Sequence, residues 1–420
     1  MRILRRTIVA VALVAASTAP VDAQWLLVPM DRAQQNHLRA YGLTYWTLEQ
    51  QEKGEWLLNY RGGSFLLPDQ PRIRREAALR GVSIEPMGAA AEARMRAQIE
   101  GSNMEAVPLE RAPKVAIYTP PNSTPWDDAV TMALEYAGIE YETIWDDDVI
   151  EGDLSEYEWI HLHHEDFTGQ YSKFFLTYSG APWLQEEVAR NQEIARAGGF
   201  ADVPALKKHV ASAIRTYVEE GGFLFAMCSA TETLELALAA ETVDIAAAYS
   251  DGTPPDPNAS ARMNWARAMA FQDAQVQIAP SVNAFSDIDA HQVNTPWRQE
   301  LGVYTLFDFS AKFDPVPAML TQNHEAVLPD FYGLTTSFRS DRLQSSAIVL
   351  AQGDTGVKYV HGNLGEGTWT YFGGHDPEDA EHQIGDPQTD LALHPSSPGY
   401  RLILNNVLFP AAKKKKLKTQ

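Results

Sequence analysis

The chain has 420 residues, 45% of them hydrophobic, a single cysteine and a formal net charge of −21 at pH 7. A chain of this length can bury a large core, and one cysteine excludes an internal disulfide, so stability must come from packing. The acidic balance disfavours binding to nucleic acid or to anionic lipid.

The first 23 residues have the pattern of a secretory signal peptide. Three arginines precede an apolar run at residues 7–16, and Val21, Asp22 and Ala23 supply a small-residue cleavage site. Cleavage after Ala23 would leave Gln24 at the start of a mature chain with a net charge of −23. No later stretch is long and apolar enough to cross a bilayer. We therefore expect a soluble protein that is periplasmic or secreted.

Residues 24–111 are predicted to form a small N-terminal α/β lobe. Apolar residues indicate a strand at 25–28 and, at helical spacing, a helix around 37–46. Residues 56–67 read as a strand or hairpin that a glycine pair interrupts. Alanine- and arginine-rich helical patterns follow, and the stretch after residue 100 is predicted to connect this lobe to the next unit.

Residues 112–412 alternate between strand and helix patterns, which predicts a second α/β unit. The predicted helices span 124–138, 186–196, 205–219 and 400–409, and the predicted strands span 115–118, 141–145, 159–163, 223–227, 347–350, 357–361 and 368–372. Thr124 and Pro125 are predicted to start the first of these helices. We expect a flavodoxin-like, doubly wound and mostly parallel sheet, with ligands beyond the carboxyl ends of its strands.

Two segments of this unit are predicted to be irregular. Residues 241–340 read as an insertion or cap, with a helix at 259–271 and short strands at 303–309 and 318–320. Residues 413–420 contain five lysines and are predicted to be a solvated basic tail, with an electrostatic anchor as the alternative.

The only cysteine, Cys228, lies between a short apolar strand and a helical pattern. A sharp strand-to-helix turn requires small residues two positions before and after its centre, and here those residues are Ala226 and Ala230. The start of the helix would favour a thiolate and, through the Ser229 N–H, would stabilise an oxyanion. Cys228 is therefore a candidate nucleophile; the alternative is an inert, buried cysteine.

Residues 161–170 cover the end of the predicted strand at 159–163 and the loop that leaves it, and they include three histidines. In a flavodoxin-like strand order this strand lies beside the cysteine strand, so His163, His164, Glu165 and Asp166 would overhang the thiol. A metal site is the alternative role for such residues. Because the two histidines on one strand face, His161 and His163, supply only two ligands, and the spacing matches no metal motif, we predict neither a metal nor another cofactor.

A second polar cluster follows the last core strand. Gly374 would let the backbone approach a neighbouring segment closely and would present His375 next to Asp376. His375 is the candidate base for Cys228, oriented by Asp376 or by Glu165. The alternative is a turn capped by Asp376, with His375 merely packed.

Other candidates are weaker. The turn at 61–63 reads as a hairpin turn, and three further histidines lack an identifiable partner in the sequence: His324, His361 and His394. Several aromatic residues could line a sugar or peptide cleft or could be packing residues: Trp126, Tyr171, Phe174, Phe175 and Trp183.

Two motifs resemble the class I glutamine amidotransferase-like superfamily, and most closely its trehalose-utilisation (ThuA-like) branch. They are the glycine-led strand followed by Ala-Thr-Glu-Thr at 230–233, and Gly-His-Asp-Pro-Glu at 374–378 followed by a helix at 401–408. The resemblance implies the flavodoxin-like fold and, through Cys228, amide chemistry. The sequence departs from the amidotransferase pattern because alanines replace the glycines around Cys228 and Pro377 stands where a glutamate is usual.

The whole chain also resembles a group of exported bacterial proteins labelled asparagine synthetase B. A glutamine-dependent synthetase needs an N-terminal cysteine and an ATP-binding domain. The predicted mature chain begins instead at Gln24, and it has no phosphate-binding glycine loop. We therefore do not expect synthetase chemistry.

Two functions from different classes follow. The first is an exported hydrolase or amidotransferase-like enzyme in which Cys228 attacks an amide or ester and His375 transfers the proton. The alternative is a non-catalytic periplasmic module that binds a carbohydrate or a protein on the same fold, and a metal-dependent hydrolase is a third hypothesis. We expect a small-molecule or carbohydrate ligand; the sequence leaves its identity open.

Overall fold

The computed structural model describes residues 24–121, 128–152, 154–290, 302–321, 325–331, 335, 337–379 and 387–412. The predicted signal peptide and the basic tail lie outside these residues. The chain forms a mixed α/β structure with two separate sheets, one of five strands and one of nine. Among the described residues no helix combines the length and the apolar character that crossing a membrane requires.

The N-terminal residues form the five-stranded sheet. Its order is β4-β1-β3-β2-β5, and every neighbouring pair is antiparallel. The predicted first strand, first helix and hairpin are confirmed. The elements are β1 (Trp25–Val28), α1 (His37–Glu49), β2 (Gly54–Leu58), β3 (Ser64–Pro68), α2 (Pro71–Arg80), β4 (Glu85–Met87), α3 (Ala89–Gly101) and β5 (Glu105–Leu109).

The rest of the chain builds the nine-stranded sheet and its helices. The strands are β6 (Val115–Tyr118), β7 (Glu142–Ile144), β8 (Trp159–Leu162), β9 (Phe223–Met227), β10 (Val303–Leu306), β11 (Val327–Pro329), β12 (Ile348–Gly353), β13 (Val357–Leu364) and β14 (Gly367–Phe372). The helices are α4 (Ala129–Ala137), α5 (Asp146–Glu151), α6 (Phe175–Tyr178), α7 (Pro182–Ala197), α8 (Val203–Glu219), α9 (Ala230–Ala239), α10 (Ala248–Asp251), α11 (Ala259–Arg262) and α12 (Pro398–Leu408).

The nine-stranded sheet is mixed, not mostly parallel as predicted. Its order is β11-β10-β12-β13-β14-β9-β8-β6-β7. The five strands from β14 to β7 are parallel, whereas β13, β12, β10 and β11 continue the sheet in antiparallel pairs. A two-residue turn through Gly365, whose φ is +56°, joins β13 to β14 and forces antiparallel pairing, since a parallel pair needs a long crossover.

Helices cover both faces of the large sheet. Along β9, Phe223, Phe225 and Met227 belong to the core beneath α4 and α12, and the alternate residues Leu224 and Ala226 belong to the core beneath α8 and α9. Helix α1 packs against α4 and α12, so the N-terminal lobe shares the first of these cores. The two sheets are therefore held together by apolar packing.

Two predicted elements in the insertion are wrong. The helix predicted at 259–271 ends at Arg262, because Met263 has an extended ψ of 139° and the Asn264 N–H donates to the Ala239 carbonyl at 2.8 Å instead of continuing the helix. The strand predicted at 318–320 is a 3₁₀ turn, Pro317–Met319, in which the N–H groups of Met319 and Leu320 donate back to the carbonyls of Val316 and Pro317 and are not available to a sheet ladder.

The structure also tests the predicted start and end of helix α4. Asp128, not Thr124, caps α4, because its carboxylate accepts from the N–H groups of Val130 and Thr131; Thr124 itself is outside the described residues. Gly138 ends α4 in a left-handed conformation, which confirms the predicted stop. Part of the predicted insertion joins the sheet as β10 and β11.

Candidate functional site

Three neighbouring parallel strands, β8, β9 and β14, end at the same edge of the large sheet. The prediction that the strand at 159–163 lies beside the cysteine strand is confirmed. His163 and His164 follow β8, Cys228 follows β9, and His375 follows β14 after two glycines. The structure thus brings the predicted cysteine and histidine segments to one place.

Cys228 occupies a strained turn between β9 and α9. Its φ is +49°, a left-handed value that L-residues other than glycine rarely adopt. The Cys228 N–H donates to the Gly374 carbonyl oxygen at 3.1 Å, and the Cys228 carbonyl accepts from Thr231 Oγ1 at 2.7 Å. Ala226 and Ala230 are fully buried, so the turn has no room for larger flanking residues. The side chain of Cys228 is itself only 3% exposed.

The three successive backbone N–H groups at this turn, from Cys228 to Ala230, differ in their hydrogen bonding. Cys228 N–H and Ala230 N–H donate to the carbonyls of Gly374 and His163, at 3.1 Å each. Ser229 N–H, in contrast, donates to no residue in the described ranges. An amide of this kind at the start of a helix is the donor that a negatively charged oxygen needs.

Three imidazole rings converge above the cysteine strand. The ring centroids of His163 and His375 are 4.4 Å apart, those of His163 and His164 are 5.1 Å apart, and those of His164 and His375 are 6.4 Å apart. His163 and His375 are buried, whereas His164 is partly exposed. One edge of the group is therefore open to an incoming molecule.

Asp128 lies beneath these rings and was not found from the sequence as a site residue. Its Oδ2 atom is 3.2 Å from His161 Nε2 and 3.5 Å from His163 Nδ1, and all three side chains are buried. Burial alone would raise the pKa of Asp128, but the two imidazoles hold it well below its usual range. The sequence signal for an acidic site residue was the pair Asp127 and Asp128 just before α4. This pair does not by itself indicate that the start of α4 would lie against the histidines.

The predicted acidic residues of the β8 loop support the loop itself. Glu165 Oε2 accepts from the His163 N–H at 2.8 Å. Asp166 accepts from the N–H groups of Thr168, Gln170 and Ser172 at 2.8–3.0 Å, and burial raises its pKa. These bonds hold the loop that presents His163 and His164.

Asp376 is also engaged in structural contacts. Its Oδ1 atom accepts from the hydroxyl of Tyr400, in α12, at 2.7 Å and from the Glu378 N–H at 2.9 Å. Burial and the neighbouring carboxylate raise the pKa of Tyr400. The loop after β14 is thereby fixed to the start of α12, and the predicted role of Asp376 in orienting His375 stays a prediction.

The weaker candidates lie in other environments. His361 is buried, its Nδ1 atom is 2.8 Å from Thr370 Oγ1, and burial lowers its pKa to about 3. His394 Nδ1 lies 3.0 Å from a carboxylate oxygen of Glu378. Arg61 pairs with two acidic residues of the N-terminal lobe, in the predicted hairpin turn. His324 and Trp126 lie outside the described residues.

The predicted aromatic residues pack against one another in two groups. The rings of Phe174 and Trp183 contact each other and Tyr178, while Phe175 stacks on Tyr249 with 4.7 Å between centroids. Tyr171, which contacts Phe175, is buried. The structure thus accounts for most of these rings by packing, although the Trp183 side chain remains about half exposed.

Glu232, in the first turn of α9, is a buried acid that the sequence pattern did not single out as a site residue. Its carboxylate accepts from the hydroxyls of Ser286 at 2.5 Å and Thr335 at 3.1 Å. Burial raises its pKa from 4.5 to about 7, with a further contribution from the charge of Asp289. Its partners come from residues 280–340, which the sequence pattern did not place.

We expect Glu232→Gln to change how stability depends on pH. In the range between pH 4.5 and 7 the folded state holds a proton that the unfolded chain has lost, so this group stabilises the fold fully below pH 4.5 and progressively less up to pH 7. Glutamine keeps the hydroxyl contacts without titrating. The free energy of unfolding of the variant relative to wild type should rise by up to about 3 kcal/mol between pH 4.5 and 8.

Urea unfolding at these two pH values measures this difference. Glu193→Gln, on the exposed side of α7, is the matched control, because it removes a carboxylate that stays in water in both states. The same pH dependence in both variants would contradict the assignment to Glu232.

By its architecture the chain is a mixed α/β protein with a candidate site at the carboxyl ends of adjacent parallel strands. No family model matches the sequence, and no curated protein matches it.

Solved structures show only weak similarity. Cytoplasmic Protein STM3548 from Salmonella typhimurium is 12% identical with a TM-score of 0.34, and the match covers 72% of this chain and 100% of that one. STM1381 from Salmonella typhimurium LT2 is 11% identical with a TM-score of 0.35, over 71% and 100% of the two chains. A beta-galactosidase from Bacillus circulans sp. alkalophilus is 11% identical with a TM-score of 0.27, over 64% and 29%. These similarities are too low to support an inference about this protein.

Proposed function

We propose that this protein is an exported, cysteine-dependent hydrolase or amidotransferase-like enzyme that acts on an amide or ester. The observation that carries the proposal is the left-handed conformation of Cys228 at the turn from β9 into α9, with φ at +49°. Strain of this kind is retained where function requires it, and nucleophiles of α/β enzymes occupy such turns. Export follows from the predicted signal peptide.

Two features support the family resemblance behind this proposal. The parallel strands follow the order β7-β6-β8-β9-β14, which corresponds to the flavodoxin-like order 2-1-3-4-5. The Gly-His-Asp-Pro-Glu motif lies next to the cysteine turn, since Gly374 accepts a hydrogen bond from Cys228 N–H. Both agree with an amidotransferase-like or ThuA-like protein.

The proposed reaction has two steps. His375 takes the thiol proton while Cys228 Sγ attacks the carbonyl carbon, and the oxygen that becomes negative accepts from Ser229 N–H. The tetrahedral intermediate collapses when His375 returns the proton to the leaving amine or alcohol, which forms a thioester. Water activated by the same imidazole then attacks the thioester, so an acid is released and the thiol is regenerated.

Alkylation of the thiol tests this proposal. Because Cys228 is the only cysteine, the intact mass after iodoacetamide treatment reports its modification directly. We expect the folded protein to react with a pH midpoint below the free-cysteine value of about 8.5, and His375→Ala to raise that midpoint. The Cys228→Ala variant should also lose hydrolysis of glutamine or of simple aryl esters. Modification only after unfolding in urea would overturn the proposal.

The second candidate is a non-catalytic module that binds a carbohydrate or a protein on the same fold. It is favoured by the 3% exposure of Cys228, and by the engagement of Asp376 and Glu165 in contacts that hold loops. An inert thiol, together with ligand binding that persists in Cys228→Ala, would support this candidate. Loss of binding in Cys228→Ala, with the fold intact, would count against it.

A further inference from the structure

We infer that His163, His164 and His375 form a binding site for a divalent transition metal, with zinc as the best match. One ring nitrogen from each residue can be chosen so that all three lie within 4.8 Å of one another. This site goes beyond the thiol chemistry proposed above and does not depend on it. Three imidazoles with an open fourth position are a ligand set that zinc uses in catalytic sites.

The topology explains why the three histidines meet. His163 and His164 leave β8, and His375 leaves β14, while β9 lies between these two strands. The three rings therefore converge over β9 from both sides. The sequence argument against a metal counted only His161 and His163, the two histidines on one strand face. The site combines His163 with His164 of the following loop and with His375, which is more than 200 residues away in the chain.

His163 has the environment of a metal ligand. It is 1% exposed, its Nδ1 atom faces Asp128 Oδ2 at 3.5 Å, and its Nε2 atom has no hydrogen-bond partner among the described residues. Metal-binding histidines commonly direct one ring nitrogen to a carboxylate and the other to the metal. Asp128 is held for this role by the N–H groups at the start of α4 and by His161.

The backbone of the loop is also fixed. Glu165 accepts from the His163 N–H, and the His163 carbonyl accepts from Ala230 N–H. A buried imidazole without a partner for Nε2 is costly, and a metal ion would satisfy that atom. These backbone hydrogen bonds position His163 and the adjacent His164 without using the nitrogen atoms of their rings.

The distances require only a small contraction. With Zn–N bonds of about 2.0–2.1 Å, tetrahedral ligands lie about 3.3 Å apart. The nitrogen atoms here are at most 4.8 Å apart, so no pair has to close by more than about 1.5 Å. His164 is partly exposed and can supply most of this movement by rotating its side chain.

Metal content and affinity test the inference. The full chain is purified without a polyhistidine tag and without chelator, and zinc is measured by mass spectrometry and by titration with Zn²⁺. We expect one zinc per chain and, after substitution with Co²⁺, the visible absorption of a tetrahedral or five-coordinate site. His163→Ala and His375→Ala should weaken binding by more than the roughly 10–100-fold that loss of an outer carboxylate partner costs, and Asp128→Asn by an amount within that range.

His209→Ala is the matched control, because His209 is an exposed histidine on α8 that packs against Phe200. Circular dichroism verifies the fold of each variant. If a buried variant does not fold, the partly exposed His164→Ala decides the question. Zinc affinity that is unchanged in folded His164→Ala or His375→Ala, or that falls equally in His209→Ala, would overturn the inference.

The thiol proposal and the metal site can fail separately. Cys228→Ser should retain zinc, because the three imidazoles do not include the sulfur. A reactive thiol in a protein that binds no zinc would overturn only the metal site, and bound zinc with an inert thiol would overturn only the thiol reaction. If both are present, zinc should slow alkylation, since a metal-bound His375 cannot accept the thiol proton.

Discussion

Gly42→Ala is expected to be strongly destabilising, because the added methyl group has no space where α1 packs against α4. Gly42 lies in α1 where this helix crosses α4, and a Cβ atom at this position would lie 1.7 Å from the Ala137 carbonyl oxygen. That carbonyl also accepts a hydrogen bond from Arg80 at 2.6 Å. Because the neighbour is backbone, the two helices must separate, and we expect a loss of about 3 kcal/mol or more.

Chemical denaturation followed by circular dichroism measures this loss. Gly101→Ala is the control, because Gly101 is the last residue of α3 and a Cβ atom there would have no neighbour within 4 Å. Alanine is the better helix former, so the control should gain up to about 1 kcal/mol. The opposite signs of the two effects separate steric contact from helix propensity. A stable Gly42→Ala variant would show that α1 and α4 do not pack this closely.

Gly374→Ala should impair both the fold and the candidate site. The φ of Gly374 is +99°, and a Cβ atom would lie 2.5 Å from the ring of Phe331. That ring is buried between Tyr304 and Phe372, so it has little freedom to move. Backbone strain and overpacking together should cost about 3 kcal/mol.

The same substitution should alter the chemistry of Cys228. The Gly374 carbonyl accepts the Cys228 N–H, and the next residue is His375, so movement of Gly374 displaces both candidate groups. We expect slower alkylation of Cys228 by iodoacetamide in the folded variant. The control is Gly252→Ala, where φ is +86° but no neighbour lies within 4 Å, so it carries only the backbone strain. Equal losses of stability in the two variants would exclude a role for the contact with Phe331.

The sequence alone determined most of the regular elements and the location of the cysteine turn. Strands such as β6, β9 and β14 are short apolar runs bounded by glycine or polar residues, and such local patterns survive in the folded protein. The small residues around Cys228 likewise indicate a sharp turn, because the restriction on their size is local. The order of β8 and β9 followed from the rules for parallel sheets.

Only the tertiary structure decided which side chains meet. Asp128 is brought against His161 and His163 by the packing of α4. Glu235 accepts hydrogen bonds from the N–H groups of Met269 and Ala270, about 35 residues away, in a segment that the sequence pattern predicted to be helical. The antiparallel half of the sheet includes strands from a segment without clear periodicity. Long-range hydrogen bonds and buried charges overrode local propensity at these points. The meeting of three histidines from separate strands arises in the same way, since it depends on strand order and not on spacing along the chain.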